Sequence, residues 1–221
     1  MAKVAIVGAH GQIGKLLIKH LRAQGHEALG IARKEEQIPT LRKLGAETVL
    51  MDIESATAEQ LATGLQGVDA VVFAAGAGAG STAERKHTVD YAGSVLLADA
   101  AKLAGVSRFV QISAIGADDP LKPDTDPVWK AYIEAKRDAD ISLRASGLEW
   151  TIIRPGPLTN SPATGMVTLS EHAGRGKSPV RTSRWWSWPL SMPTHRLASS
   201  GTARRHYAYP RRGLSVKAET A

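Results

Sequence analysis

Short apolar runs alternate with amphipathic segments from the start of the chain to about residue 155. Runs of four to six mainly apolar residues are typical of strands buried on both faces of a parallel sheet. Segments with apolar residues three and four positions apart predict helices. The predicted strands are 4–7, 26–31, 47–51, 70–73, 108–112 and 150–153, and the predicted helices are 15–24, 36–44, 57–65, 84–104 and one that follows residue 127. This alternation predicts an α/β fold with a doubly wound parallel sheet.

A glycine-rich turn joins the first predicted strand to the first predicted helix. Its first glycine allows a turn without a Cβ atom, the second lets the backbone approach a phosphate, and the third allows the helix to pack closely on the strand. The free N–H groups and the positive dipole end of the helix favour an anion there. We expect a dinucleotide diphosphate to bind at this turn, and a purely structural turn is the alternative. The expected contacts are Gly8, His10, Gly11, Gln12, Ile13 and Gly14.

Two basic residues, Arg33 and Lys34, follow the second predicted strand. In a doubly wound fold this strand end lies beside the adenosine ribose, where a carboxylate accepts hydrogen bonds from a 2′-hydroxyl and an arginine pairs with a 2′-phosphate. After the strand no carboxylate occurs before Glu35, so Arg33 favours NADP over NAD. Two solvated surface charges are the alternative interpretation. Asp52, after the third strand, is placed to contact the adenine.

The next two strand ends carry small or polar residues. Alanine and glycine alternate through 74–80, and Ala74, Ala75 and Gly76 would let a cofactor lie against the backbone, although a flexible loop without a ligand has the same composition. The fifth strand delivers Ser113 to its carboxyl end. Ligands bind at these strand ends in open α/β sheets, which favours the cofactor interpretation.

A candidate reactive pair lies on the helix after residue 127. Tyr132 and Lys136 are four positions apart and therefore share one face. Such a pair also arises freely on helix surfaces. The strand that follows leads into Arg154-Pro155-Gly156-Pro157, which we expect to be a stiff loop that closes over the site.

Together these residues resemble the atypical branch of the short-chain dehydrogenase/reductase superfamily, small NAD(P)-binding proteins related to epimerase/dehydratase-like members. The residues that carry the resemblance are Gly8, Gly11, Gly14, Asp52, Ile53, Ala74, Ala75, Gly76, Asp90, Tyr91, Ser113, Tyr132, Lys136 and 151–157. The resemblance covers about residues 1–172 and implies a Rossmann fold with the nicotinamide near Ser113, Tyr132 and the loop after Arg154. It also implies cofactor contacts from Arg33, Asp52, Ile53, Ala74, Ala75, Gly76, Lys136 and Pro155.

The resemblance assigns catalytic roles to three residues. Tyr132 would act as acid or base on the substrate oxygen. A phenol with a pKa near 10 is a poor base, so the Lys136 ammonium and the nicotinamide would have to stabilise its anion, while Lys136 also holds the ribose hydroxyls. Ser113 would donate to the substrate carbonyl. The implied activity is hydride transfer between NADP, or NAD, and a small carbonyl or hydroxyl compound. A non-catalytic NADP-binding redox sensor and a sugar epimerase or dehydratase are the alternatives.

The overall composition changes this interpretation little. The chain has no cysteine and no closely spaced histidines, so we expect neither a disulfide nor a bound metal. No run of eighteen apolar residues occurs, so we expect no membrane segment and a cytoplasmic location. The expected partner is a small-molecule substrate, and the chain is expected to be a monomer or a homodimer.

The net charge of +7 belongs to the C-terminal tail, 175–221, which holds ten Lys or Arg and one acidic residue, whereas the remainder holds 18 basic and 20 acidic residues. We therefore expect a Rossmann domain over 1–174 and an irregular, poorly packed tail. Three of the five tryptophans fall within 185–188, and the change of composition there suggests a shifted reading frame. A basic arm that binds nucleic acid is the less favoured alternative.

Overall fold

The computed structural model describes residues 1–162 and, beyond them, the backbone of three short strands, 168–170, 178–179 and 215–220. The strands are β1 Lys3–Val7, β2 Glu27–Ala32, β3 Glu47–Leu50, β4 Ala70–Phe73, β5 Arg108–Ile112, β6 Glu149–Pro155, β7 Leu158–Thr159, β8 Thr168–Ser170, β9 Ser178–Pro179 and β10 Ser215–Thr220. The helices are α1 Gln12–Ala23, α2 Ile38–Lys43, α3 Ala58–Gly64, α4 Ala83–Arg85, α5 Gly93–Leu103 and α6 Pro127–Arg144. A 3₁₀ turn, Glu35–Gln37, precedes α2, and a π-helical segment, Lys86–Ala92, joins α4 to α5.

The central sheet has the order β3-β2-β1-β4-β5-β6-β10-β8, and its first six strands are parallel. The chain moves outward from β1 in one direction through β2 and β3 and in the other through β4, β5 and β6. This reversal places a crevice at the carboxyl ends of β1 and β4, where open α/β sheets bind ligands. The doubly wound Rossmann fold expected from the sequence is confirmed.

Apolar side chains of successive strand residues enter two separate cores. Ile6 of β1 packs on one face of the sheet with Leu17 of α1 and Leu41 of α2. Val7, the next residue, packs on the other face with Leu61 of α3 and Leu97 of α5. Because strand side chains alternate between faces, helices on both faces bury most residues of β1, β2, β4, β5 and β6, which explains their apolar runs. The edge strand β3 is only partly buried.

One expectation for the end of the chain is corrected. The sixth strand does not end at Ile153 but continues to Pro155, because β10 pairs with it antiparallel, with Lys217 opposite Arg154 and Val216 opposite Pro155. Within the tail, 175–221, the described backbone is that of strands β9 and β10, and the irregular character of the tail stays a prediction. The rest of the tail, including the tryptophan cluster and the proposed frame shift, lies outside the described residues.

The long helix expected over 84–104 is divided by the π-helical segment. This segment carries Lys86 and Asp90, both buried, on the side that faces α6. Single π-helical turns occur often at functional sites. Gly105 follows α5 with a φ of 72°, the left-handed conformation expected of a residue that ends a helix.

Candidate functional site

The glycine turn after β1 is shaped by contact with β4. Gly8 has a φ of 84°, and a Cβ atom there would lie 2.5 Å from the Ala75 nitrogen and 2.6 Å from the Ala74 carbonyl carbon. A Cβ atom on Gly14 would lie 2.5 Å from the carbonyl oxygens of Gly8 and Ala9. Two of the three glycines therefore let backbone segments pack closely, as the sequence predicts for the first and third.

The N-terminus of α1 is open to a ligand. Gly11 is exposed, its N–H donates to the Gly8 carbonyl at 2.9 Å, and it begins α1 without a side-chain cap. The first turn has no acidic residue, so its N–H groups and positive dipole meet no carboxylate of that turn. Ile13 is buried in the core, so only its backbone faces this end of the helix. These residues fit a dinucleotide diphosphate.

The expected adenosine end lies where β2 and β3 finish side by side. Arg33 is 42% exposed, and its Nη1 lies 3.5 Å from Glu54 Oε2. Asp52 Oδ1 accepts a hydrogen bond from the Glu54 N–H at 3.0 Å. The Ile53 side chain packs on Gly93, where a Cβ atom would lie 2.7 Å from Ile53 Cδ1. Arg33 is thus available to an anion, whereas the Ile53 side chain has a packing role.

Glu54, which the sequence analysis missed, joins two arginines at this end of the site. It accepts from Arg85 Nη2 at 2.6 Å and from Thr88 Oγ1 at 2.7 Å, in addition to its contact with Arg33. Hydrogen bonding to Arg85 is the largest cause that lowers the pKa of Glu54, against the opposing effect of burial. No local sequence signal joins Glu54 to a helix that begins about thirty residues later.

A buried ion pair lies where β4 and β5 end. Lys136 Nζ lies 3.1 Å from Asp90 Oδ1, 3.2 Å from the Ile112 carbonyl oxygen and 3.5 Å from that of Ala75. Both side chains are nine-tenths buried or more. Asp90 Oδ2 accepts from the Ala77 N–H at 2.9 Å, and a Cβ atom on Gly76 would lie 2.9 Å from Asp90 Oδ1. The small residues expected here therefore make room for Asp90.

The surroundings of Asp90 Oδ1 indicate whether a ribose would fit beside the ends of β4 and β5. Despite its ionic contact with Lys136, this buried atom accepts no hydrogen bond of good geometry from the described residues. It lies beside strand ends at which cofactors bind. A buried acceptor next to an ammonium group suits the hydroxyls of a nicotinamide ribose, so Lys136 and Asp90 fit that part of the cofactor.

Tyr132, Lys136 and Asp140 lie on one face of α6, four residues apart in turn. The Tyr132 ring centroid lies 5.9 Å from Lys136 Nζ and 5.4 Å from Lys86 Nζ, and 5.2 Å from the Trp129 ring. The two ammonium groups lie within the range of cation–π attraction. Tyr132 and Lys136 therefore come together as the sequence predicts.

The electrostatics keep both groups of this pair protonated. Burial raises the pKa of Tyr132, the charges of Asp90 and Asp140 raise it further, and Lys136 lowers it without offsetting them. Burial alone would lower the pKa of Lys136, but Asp90 and Tyr132 raise it above its usual value. Lys136 does not bring the phenol to a low pKa in the free protein, which differs from the role that the resemblance implies.

Ser113 is bound within the protein. Its buried Oγ donates to Asp140 Oδ2 at 2.8 Å, while Gln111 Nε2 donates to Asp140 Oδ1 at 2.7 Å. The expected role of Ser113 requires its O–H group to donate to a substrate oxygen. In the structure this O–H group donates to Asp140 on α6 instead. The structure therefore places Ser113 next to the helix that carries Tyr132 and Lys136, but with its hydroxyl engaged.

Arg154 does not belong to a loop that closes over the site. It lies within β6, is 1% exposed, and donates from Nε to Asp140 Oδ2 at 2.8 Å and from Nη2 to Asp118 Oδ1 at 2.9 Å. Burial lowers the pKa of Arg154, but Asp118 and Asp140 together raise it well above its usual value. The buried Pro155 also belongs to the strand, and its carbonyl oxygen accepts from the Ile115 N–H at 2.9 Å.

The described part of the chain holds neither a candidate metal cluster nor a candidate membrane-spanning helix. Within it, no group of three or more His, Asp or Glu side chains is arranged to hold a metal ion. None of its helices is long and apolar enough to cross a membrane.

Comparison with known proteins gives consistent matches. The model of the NAD(P)H-binding family matches residues 8–184. The chain is 39% identical over 175 residues to YhfK of Bacillus subtilis, an uncharacterized sugar epimerase, covering 79% of this chain and 80% of that protein.

Two solved structures share the fold. A Bacillus halodurans protein provisionally named an NAD-dependent epimerase/dehydratase superposes with a TM-score of 0.80 at 29% identity, covering 100% of this chain and 95% of that one. The oxidoreductase ylbE of Lactococcus lactis gives a TM-score of 0.71 at 32% identity, covering 86% and 85%. With the glycine turn and the Rossmann sheet, these matches confirm the expected resemblance: the chain belongs to the NAD(P)H-binding family of atypical short-chain dehydrogenase/reductase-like proteins.

Proposed function

We propose that the protein is an NADP-dependent oxidoreductase that acts on a small carbonyl or hydroxyl compound. The observation that carries this proposal is the Tyr132–Lys136 pair, which lies at the carboxyl ends of β4 and β5. The open N-terminus of α1 and the exposed Arg33 supply the two anion sites that NADP requires. The similarity to an oxidoreductase of Lactococcus lactis supports the same reaction class.

The nicotinamide, when bound, supplies or accepts the hydride. A phenol is protonated at neutral pH, and the raised pKa of Tyr132 keeps it so. Tyr132 can therefore give its Oη proton to a carbonyl oxygen as that oxygen gains negative charge. Lys136 keeps its charge and is held by Asp90 and two carbonyl oxygens, which fixes it beside the expected ribose.

Ser113 takes a supporting role in this proposal. Its O–H group is donated to Asp140, so it helps hold α6 rather than binding the substrate oxygen in the free protein. A substrate contact from Ser113 would require that hydrogen bond to break. Tyr132 is therefore the group that we propose to contact the substrate.

A sugar epimerase or dehydratase is the second candidate. The names of the Bacillus subtilis and Bacillus halodurans relatives favour it. The same tyrosine and lysine would serve a hydroxyl group that is first oxidised and then reduced. A non-catalytic NADP-binding redox sensor is the third candidate, favoured by the engaged hydroxyl of Ser113. In each case we propose a cytoplasmic monomer or homodimer with a small-molecule ligand.

The test is an NADPH oxidation assay, followed by absorbance at 340 nm, with a panel of aldehydes, ketones and quinones. A parallel assay incubates nucleotide sugars with the protein and measures epimers by chromatography. Tyr132→Phe is expected to lower turnover by about 10²–10⁴-fold and to change NADPH affinity by no more than about twofold. Tyr91→Phe, a change of the same size on the π-helical segment, is the control.

Each outcome separates the candidates. Carbonyl reduction that depends on Tyr132 supports the oxidoreductase. Epimer formation without net NADPH consumption supports the epimerase. Full turnover in Tyr132→Phe contradicts both, and tight NADPH binding without either reaction supports the redox sensor.

A further inference from the structure

Glu54 lies beside the arginine that is expected to select the cofactor. Its Oε2 is 3.5 Å from Arg33 Nη1. Glu54 follows β3, and Arg33 follows the neighbouring strand β2. Both side chains are partly exposed, 24% for Glu54 and 42% for Arg33. A ligand that approaches Arg33 from solvent therefore also meets the carboxylate of Glu54.

Arg85 holds this carboxylate more closely than Arg33 does. Its Nη2 and Nε lie 2.6 and 3.4 Å from the two Glu54 oxygens, and Thr88 Oγ1 donates to Oε1 at 2.7 Å. The single contact with Arg33 is at the limit of a hydrogen bond. Glu54 is thus anchored to α4 and the π-helical segment, and it only loosely engages Arg33.

We infer that the Glu54 carboxylate weakens binding of the 2′-phosphate of NADP and that Arg85 reduces this effect. The two residues together thereby set the preference between NADP and NAD. This inference rests on the proposed function. A phosphate carries a charge near −2 and competes with Glu54 for Arg33, and the two anions repel each other. The 2′-hydroxyl of NAD is uncharged, and a carboxylate can accept a hydrogen bond from it. A nearby carboxylate therefore weakens NADP binding and leaves NAD binding unchanged or slightly stronger.

Arg85 acts in the opposite direction through Glu54. Its charge offsets that of the carboxylate, and its two hydrogen bonds hold the carboxylate away from full contact with Arg33. Without Arg85, Glu54 keeps the hydrogen bond from Thr88 on Oε1, but its Oε2 loses its nearest partner and can pair more closely with Arg33. Removing Arg85 is expected to weaken NADP binding, although Arg85 makes no contact with Arg33 in this arrangement of side chains.

The test is calorimetric titration of the full chain with NADPH and with NADH. Glu54→Gln is expected to raise the ratio of NADPH to NADH affinity by about threefold, the size of one partly exposed ion pair. Arg85→Met is expected to lower the ratio by a similar factor. In an Arg33→Ala background the effect of Glu54→Gln should shrink to less than about twofold. Added salt should reduce all of these differences.

The matched control is Asp99→Asn, which removes the carboxylate of an exposed ion pair with Lys102 on α5. It should leave the ratio unchanged. Circular dichroism and urea unfolding of each variant establish that it is folded before titration.

Three results would overturn the inference. If Glu54→Gln leaves the ratio of NADPH to NADH affinity unchanged or lowers it, the inference is contradicted. The proposed function still stands in that case, provided that the wild-type chain prefers NADPH and that Arg33→Ala removes this preference. The inference is also contradicted if Arg85→Met raises the ratio. If the wild-type chain binds neither nucleotide, the proposed function fails and the inference fails with it.

Discussion

Replacing Arg154 by methionine is expected to destabilise the protein by about 3–5 kcal/mol at neutral pH, because a buried carboxylate then loses its charge partner. Asp140 is fully buried and lies 2.7 and 2.8 Å from two nitrogens of Arg154. After the substitution it keeps only the uncharged donors Gln111 and Ser113 among the described contacts. Methionine fills most of the arginine volume, so the lost charge, rather than a cavity, dominates the cost.

The second carboxylate that pairs with Arg154 provides an internal comparison. The Asp118 side chain is 47% exposed, so water can solvate it when the arginine is gone. Asp118→Asn should therefore destabilise the protein less than Arg154→Met. Arg154→Met breaks both ion pairs and leaves the buried Asp140 without a charge partner, whereas Asp118→Asn breaks only the pair with the exposed carboxylate.

The assay is urea unfolding at 25 °C, with a double-mutant cycle between Arg154→Met and Asp140→Asn. Asparagine removes the unpaired charge, so the double variant should lose at least about 2 kcal/mol less than the sum of the single losses. Losses that add within about 0.5 kcal/mol would refute the reasoning. So would a cost below about 1 kcal/mol for Arg154→Met, since that is the value of an exposed pair.

Two further predictions follow from the turn after β1 and from the buried phenol. Gly8→Ala should destabilise the fold by about 2–5 kcal/mol, because about 1–2 comes from the positive φ and about 1–3 from forcing the turn away from β4; an unchanged melting temperature would contradict this close packing. Because the folded pKa of Tyr132 is raised, the unfolded chain loses this proton first, and stability must fall as pH rises above about 10. Tyr132→Phe should show a shallower fall between pH 9 and 11 by urea unfolding, and parallel curves for the two proteins would contradict the raised pKa.

Local patterns were sufficient to predict strands β1 to β6 and the glycine turn. Strand β5, for example, has the predicted bounds, because a short apolar run flanked by polar residues has few other burial options. The positions of Gly8 and Gly14 follow from the same logic, since a strand, a tight turn and a helix leave no room for a Cβ atom. These features depend on residues close together in the chain.

The features that sequence reasoning missed depend on residues far apart. Glu54 and Arg85 meet only because the segments after β3 and β4 turn toward each other. The hydrogen bond from Ser113 to Asp140 depends on which face of α6 packs on β5. A list of candidate residues does not determine that face. Strand β10 was missed because the alternation of Val216, Lys217, Ala218 and Glu219 is short and follows a basic segment.

The central claim is that the glycine turn binds a nicotinamide dinucleotide and that Arg33 selects NADP. A thermal-shift titration with NADPH and NADH on the wild type, Arg33→Ala and Lys34→Ala tests it directly. At 100 times the dissociation constant a ligand stabilises the folded state by about 2.7 kcal/mol, which corresponds to about 5–10 °C for a chain of this length. The account predicts a larger shift with NADPH than with NADH, a difference erased by Arg33→Ala and kept by Lys34→Ala. No shift with either nucleotide would contradict it.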